Sequence, residues 1–217
     1  MIKAIVFDFD GLIVDTESVW YEVYCDMLEP RGVHLKIEEF ASYIGTDTKA
    51  LYDFLYEQFG RELTKEEIAK ESLKRHREKM KQLAAREGVL EYLKEAKELG
   101  LKIGLASSSD RAWVTSFLKE LDLLGHFEVM QTRGDVEKVK PDPALYKQTV
   151  EKLGVKPSEA IAFEDSANGA KAAIAAGLQC VIVPNRLSAH LTFETYHLRI
   201  ASMKEKSLQE VIEQVSH

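Results

Sequence analysis

Hydrophobic positions along this chain follow two periods. Some short runs are apolar throughout: AIVF at Ala4–Phe7, KIGLA within residues 101–106, AIAF before Glu164 and QCVIV before Pro184. Runs of this length, bounded by polar residues, predict strands buried on both faces. FEVM at residues 127–130 predicts one more. Elsewhere the apolar positions recur three and four apart, as on one face of a helix. From about Glu17, residues Trp20, Tyr21, Tyr24, Met27 and Leu28 share such a face, and Pro30-Arg31-Gly32 ends it. VLEYLKEAKELG closes on Gly100, and RAWVTSFLKELDL follows the second strand. KPDPALYKQTVEKLG predicts a helix with Asp142 as N-cap and Pro143 at its first position. ANGAKAAIAAG closes on Gly177, and Leu208, Val211, Ile212 and Val215 define a last helix.

The stretch from about 36 to 84 differs. It carries helical patterns only, including LYDFLYEQFG up to Gly60 and a capping box of Thr64 with Glu67. Elsewhere strands alternate with helices, which predicts βαβ units on a parallel sheet. The fold expected is therefore α/β: a Rossmann-like parallel sheet flanked by helices, with an inserted α-helical domain. Residues 1–14 and 85–217 would form the core and residues 15–84 the insert.

Composition adds little to this and excludes several classes. The chain has 217 residues, 45% hydrophobic and 30% charged, with a formal net charge of -7. That fits a globular protein, and the acidic balance argues against nucleic acid as partner. No apolar run approaches the roughly 20 residues of a membrane span. The N-terminus does not read as a signal peptide, and the two cysteines, Cys25 and Cys180, read as thiols of a reducing compartment. A cytoplasmic protein is expected, with a monomer as the working assumption.

The chemistry lies where strands end. Open parallel sheets bind ligands at the carboxyl ends of their strands. The first predicted strand runs into Asp8 and Asp10, the second into Ser107, Ser108 and Ser109, and AIAF into Glu164 and Asp165. Lys140 precedes Pro141 ahead of another helix. Asp8 and Asp10 are two residues apart, so an extended backbone points them to one side. With Glu164 and Asp165, four carboxylates would meet, which is unfavourable unless a cation neutralises them. Oxygen ligands without His or Cys select Mg2+ over Zn2+. A helix N-terminus after the serines and the charge of Lys140 favour an anion, so together these groups describe a phosphoryl site. Spacing alone equally permits two metals with direct attack by water.

DFDGLIVDT, LASSS, the KP at Lys140 and FEDS resemble the four motifs of the haloacid dehalogenase superfamily, over essentially the whole chain. The likeness is to its β-phosphoglucomutase-like, CbbY/Gph-type phosphatase branch, which has a small helical cap after the first motif. That resemblance implies Asp8 as nucleophile and Asp10 as general acid and base. It implies Ser107, Ser108 and Lys140 as phosphoryl ligands, and a Mg2+ site from Asp8, the Asp10 carbonyl, Glu164 and Asp165. The stretch YIGTDTKA would be the cap's specificity loop, with Gly45, Thr46, Thr48 and His76 as substrate-binding positions.

Plainer readings stand beside these. Ser107–Ser109 taken alone are a polar loop, Lys140 alone a surface lysine, and Asp165 a cap of its helix. Thr16 reads as a helix N-cap where the insert begins. KRHREKMK is a solvated basic face, and His76 falls in register with Ile68, Ser72 and Met80, as a packing histidine would. The sugar phosphomutases of the branch carry histidine where this chain has Trp20, arginine near Thr48 and lysine at His76. Those departures favour a Mg2+-dependent phosphatase of small phosphorylated metabolites over a phosphosugar mutase. A receiver-type phospho-acceptor switch, whose acceptor lies on its third strand, and a metal-free dehalogenase fit less well.

Overall fold

The computed structural model describes residues 1–41, 48–81 and 84–216. The chain divides into two compact units: Met1–Val14, Ala84–Asn185 and Thr192–His217 form one, and Asp15–Leu83 with Arg186–Leu191 the other.

The first unit is built on one parallel sheet of β1 (Ala4–Phe7), β2 (Lys102–Ala106), β3 (Val129–Gln131), β4 (Ala160–Glu164), β5 (Gln179–Ile182) and β6 (Leu198–Arg199), in the order β3-β2-β1-β4-β5-β6. All four residues of β1 are buried, as a central strand covered on both faces requires. Burying an Ile, Val or Phe side chain contributes about 1.5–3 kcal/mol. The Phe7 and Phe163 rings stack across the β1–β4 pair at 5.3 Å. The chain runs outward from β1 through β2 to β3, then returns to place β4 on the other side of β1. The strand order therefore reverses between β1 and β4, the position where such sheets open a crevice.

The second unit is helical: α1 (Thr16–Leu28), α2 (Ile37–Ala41), α3 (Thr48–Gln58) and α4 (Lys65–Met80). Thr64 and Glu67 form the capping box at the start of α4. Ile68, Ser72, His76 and Met80 are its buried stripe. His76 stacks on Trp20 of α1 with ring centroids 3.8 Å apart and planes 15° from parallel. Arg186 lies over the Tyr21 ring at 5.4 Å.

The sheet is flanked by α5 (Val89–Glu98), α6 (Arg111–Glu120), α7 (Ala144–Leu153), α8 (Ala167–Ala176) and α9 (Leu208–Val215). Several local expectations need correction. Asp15, not Thr16, caps α1, its carboxylate accepting from Ser18 N at 3.1 Å. Helix α7 starts at Ala144 with Pro143 in the cap position, although Asp142 Oδ1 still accepts from Ala144 N at 2.9 Å. Ser166 rather than Asp165 caps α8, because its hydroxyl reaches Gly169 N. Strand β3 is Val129–Gln131 rather than residues 127–130, since its register is set by pairing Gly104 with Val129 and Ala106 with Gln131. Strand β6 was not expected, because two residues show no period. No helix among the described residues is long and apolar enough to cross a membrane. Neither Cys25 nor Cys180 is in a disulfide.

Candidate active site

Strands β1 and β4 pair with Phe7 opposite Phe163, so the residues that follow, Asp8 and Glu164, emerge side by side at the reversal of strand order. Asp8 N donates to Phe163 O at 3.0 Å and holds that end of the sheet closed. Asp8, Glu164 and Asp165 are all buried and can bring one carboxylate oxygen each within 4.8 Å of the others. The Lys140 side chain, 5% exposed, inserts beside them. Its ammonium donates to Asp8 Oδ1, and to Glu164 Oε1 at 2.6 Å. In place of four meeting carboxylates, three meet. The Asp10 side chain accepts instead from Ser109 Oγ at 2.6 Å and Trp113 Nε1 at 2.9 Å.

Glu164 is the most enclosed of the three. Oε1 accepts from Tyr146 OH at 2.7 Å as well as from Lys140, and Oε2 accepts from Ser166 Oγ at 3.1 Å. Asp165 Oδ2 accepts from Asn185 Nδ2 at 2.8 Å. Burial pushes the Asp8 carboxyl well above its ordinary range, Lys140 opposes this, and Glu164 and Asp10 add to it. Burial alone would lower the Lys140 ammonium, but the Asp8 and Glu164 carboxylates more than reverse this and hold it above its usual value. Burial also raises the Tyr146 hydroxyl well above its usual value, so it stays a donor.

Two glycines make room for this cluster. Gly11, at φ +83°, takes a backbone conformation that side chains disfavour, and a Cβ there would overlap the Asp165 carboxylate and lie 2.7 Å from Asn185 Nδ2. A Cβ at Gly169 would overlap the Glu164 carboxylate. Arg86 braces the same region from outside. Its guanidinium donates to the carbonyls of Gly11 at 2.6 Å, Val183 at 3.0 Å and Pro184 at 2.7 Å.

Of the positions expected from sequence, Asp8, Lys140, Glu164 and Asp165 come together as one cluster. Ser107 is buried at the end of β2, with its hydroxyl accepting from Ser109 N at 3.0 Å. Ser108 is half-buried, and its carbonyl accepts from Arg133 Nε at 3.0 Å. His76 is buried in the helical unit, and Thr48 opens α3. Gly45 and Thr46 lie outside the described residues. Sequence reasoning missed Tyr146, Trp113, Arg86, Asn185 and Gly169. A glycine in the first turn of a helix, five residues after Glu164, was the one available signal of a close approach.

A doubly wound sheet with buried carboxylates and one buried lysine at its switch point defines the class: an α/β enzyme with a carboxylate-and-lysine centre. More specifically, the chain belongs to the family described as haloacid dehalogenase-like hydrolases, whose model matches residues 5–183. The chain is 49% identical over 209 residues to the Bacillus subtilis (strain 168) protein named "Putative phosphatase YhcW", covering 96% of this chain and 95% of that one. It is 30% identical over 181 residues to the protein named "Phosphorylated carbohydrates phosphatase" of Thermotoga maritima, covering 82% of each. Among solved structures, CbbY from Rhodobacter sphaeroides in complex with phosphate superposes with a TM-score of 0.71 at 26% identity, covering 96% of this chain and 98% of that one.

Proposed function

We propose that the chain is a Mg2+-dependent phosphatase of small phosphorylated sugars or sugar-like metabolites, acting through an aspartyl-phosphate on Asp8. The observation that carries this reading is the placement of Asp8, buried at the switch point, bonded to Lys140 and flanked by Glu164 and Asp165. The relative named a phosphorylated carbohydrates phosphatase supports the substrate class.

The donor set fits Mg2+: three buried carboxylates and no His or Cys among the clustered ligands. Asp8 and Asp165 would hold it with the Asp10 carbonyl. Glu164, whose oxygens already accept from Lys140, Tyr146 and Ser166, would stand behind them. When bound, the cation supplies positive charge to the carboxylates and to the phosphoryl oxygens.

An Asp8 oxygen attacks phosphorus, the bond to the ester oxygen breaks, and Asp10 gives that oxygen its proton. Water then attacks phosphorus while Asp10 takes a water proton. The bond to Asp8 breaks and inorganic phosphate leaves, with the Asp8 carboxylate and the protonated Asp10 restored. An ammonium has three donors. Lys140 uses two on Asp8 and Glu164, which leaves the third for a phosphoryl oxygen. Ser107 and Ser108 would bind the other phosphoryl oxygens. Residues 15–84 act as the cap that selects the leaving group, through Gly45, Thr46, Thr48 and His76. Burial holds the His76 imidazole down at about 4, so it is neutral near pH 7 and offers no cation for a second phosphate. This supports hydrolysis over mutase chemistry.

The test is a panel of sugar and polyol phosphates assayed with Mg2+, before and after exhaustive chelation, with β-glucose 1-phosphate plus a trace of glucose 1,6-bisphosphate included. Phosphate release that vanishes on chelation and returns with Mg2+ is expected. Full turnover without metal, or glucose 6-phosphate formed much faster than free phosphate, would overturn the proposal.

A further inference from the structure

We propose that Trp113 is a positioning residue for Asp10: its indole N–H fixes the carboxylate that hands the proton to the leaving oxygen. This rests on the acid–base role of Asp10 proposed above.

Asp10 Oδ1 accepts from Trp113 Nε1 at 2.9 Å and Oδ2 from Ser109 Oγ at 2.6 Å. Both donors come from the connection between β2 and α6 and the first turn of α6. Trp113 is itself anchored. Its ring meets Phe117 edge-on at 4.7 Å, and Phe117 packs at 6.3 Å on Phe9, the buried residue between Asp8 and Asp10. The indole is thus held to the same segment whose carboxylate it orients.

The chemistry suits this role. An indole N–H only donates, so it orients the carboxylate without competing for its proton. A serine hydroxyl both donates and accepts, so Ser109 can turn around when Asp10 is protonated. A carboxylate offers about four lone-pair sites. The indole N–H and the Ser109 hydroxyl together orient its plane. Proton transfer demands heavy atoms about 2.6–3.2 Å apart, and a misplacement near 1 Å costs roughly 100-fold in rate.

Trp113→Phe keeps the aromatic packing and removes the N–H, and Trp113→His restores a ring N–H. Each is assayed for kcat/KM, which reports the steps through leaving-group departure, on glucose 6-phosphate and on p-nitrophenyl phosphate. The alkoxide of the sugar ester needs a proton, and the nitrophenolate does not. Trp113→Phe is expected to lower kcat/KM on the sugar ester about tenfold, less than the roughly 10²–10⁴ of fully lost acid catalysis, and to leave the aryl ester within about twofold. Trp113→His should show a smaller asymmetry. Asp10→Asn provides the reference, with the same asymmetry and larger. Equal losses on both esters in Trp113→Phe, or no loss there, overturn the positioning role while an asymmetric Asp10→Asn keeps the proposed function intact. A symmetric Asp10→Asn overturns the acid role of Asp10 and this inference with it.

Discussion

Replacing Gly169 with alanine should destabilise the protein, although alanine is the better helix former. Gly169 sits in the first turn of α8, where the exchange on an open helix face would stabilise by about 1 kcal/mol. Here the added Cβ would overlap the Glu164 carboxylate, which is fully buried and cannot move into solvent. Glu164 would have to give up part of its set of donors: Lys140 at 2.6 Å, Tyr146 OH at 2.7 Å and Ser166 Oγ at 3.1 Å. A hydrogen bond to a charged group contributes about 1.5–3 kcal/mol, so losing one or two against the propensity gain leaves a net loss of about 0.5–5 kcal/mol. For a chain of this length each kcal/mol lowers Tm by about 2–4 °C. Lys140 shifts with Glu164, so kcat/KM should also fall by about tenfold or more. Urea midpoints, thermal melts and phosphate release on the same preparation read all three. Gly134→Ala is the control, because nothing lies within 4 Å of a Cβ there. It should change stability by no more than about 0.5 kcal/mol. A Gly169→Ala variant as stable and as active as the parent would refute the tight packing of Glu164.

Further predictions concern the helical unit and the brace behind the site. Burial holds His76 at about 4 in the folded protein. In the unfolded chain it titrates near 6.5, roughly. Between those values the unfolded state binds more protons, so stability falls as pH drops through that window, by at most about 1.4 kcal/mol per pH unit for this group. Urea midpoints at pH 7 and pH 5 should converge in His76→Phe relative to the parent, and an unchanged difference would show that His76 does not titrate this way. Arg86→Met removes a guanidinium from three carbonyls and should cost about 2–4 kcal/mol in urea unfolding, whereas a change below about 0.5 kcal/mol would mean the brace carries no stability.

Much of the sheet was legible because its strands are continuous apolar runs and its site lies at their carboxyl ends, where topology concentrates polar residues. Asp8, Glu164 and Asp165 could be picked out for that reason, and Lys140 by its place before Pro141 in the motif. Tyr146 could not, because a tyrosine on the buried face of α7 reads as core until its hydroxyl is seen to reach Glu164. Arg86 reads as a surface charge before Gly88, and only the folded chain brings Gly11, Val183 and Pro184 to it. Asp8 and Asp10 lie near enough for the Asp10 charge to raise the Asp8 carboxyl, yet only Asp8 joins the carboxylate cluster. Beyond Phe7 the two side chains find different partners, Lys140 for Asp8 and Ser109 and Trp113 for Asp10. Cap boundaries slipped by one residue at α1, α7 and α8, because adjacent polar residues compete for the same few free N–H groups.

The most direct measurement of the proposed chemistry is a rapid acid quench of the enzyme during turnover of a radiolabelled phosphate ester with Mg2+. Label should appear on the protein within one turnover and be released by hydroxylamine, as an acyl phosphate is. It should map to the peptide containing Asp8 and be absent from Asp8→Asn, which should also lack turnover. Hydrolysis without protein-bound label, together with an Asp8→Asn variant that keeps most of its activity, would contradict a covalent intermediate on Asp8 and leave direct attack by water in its place.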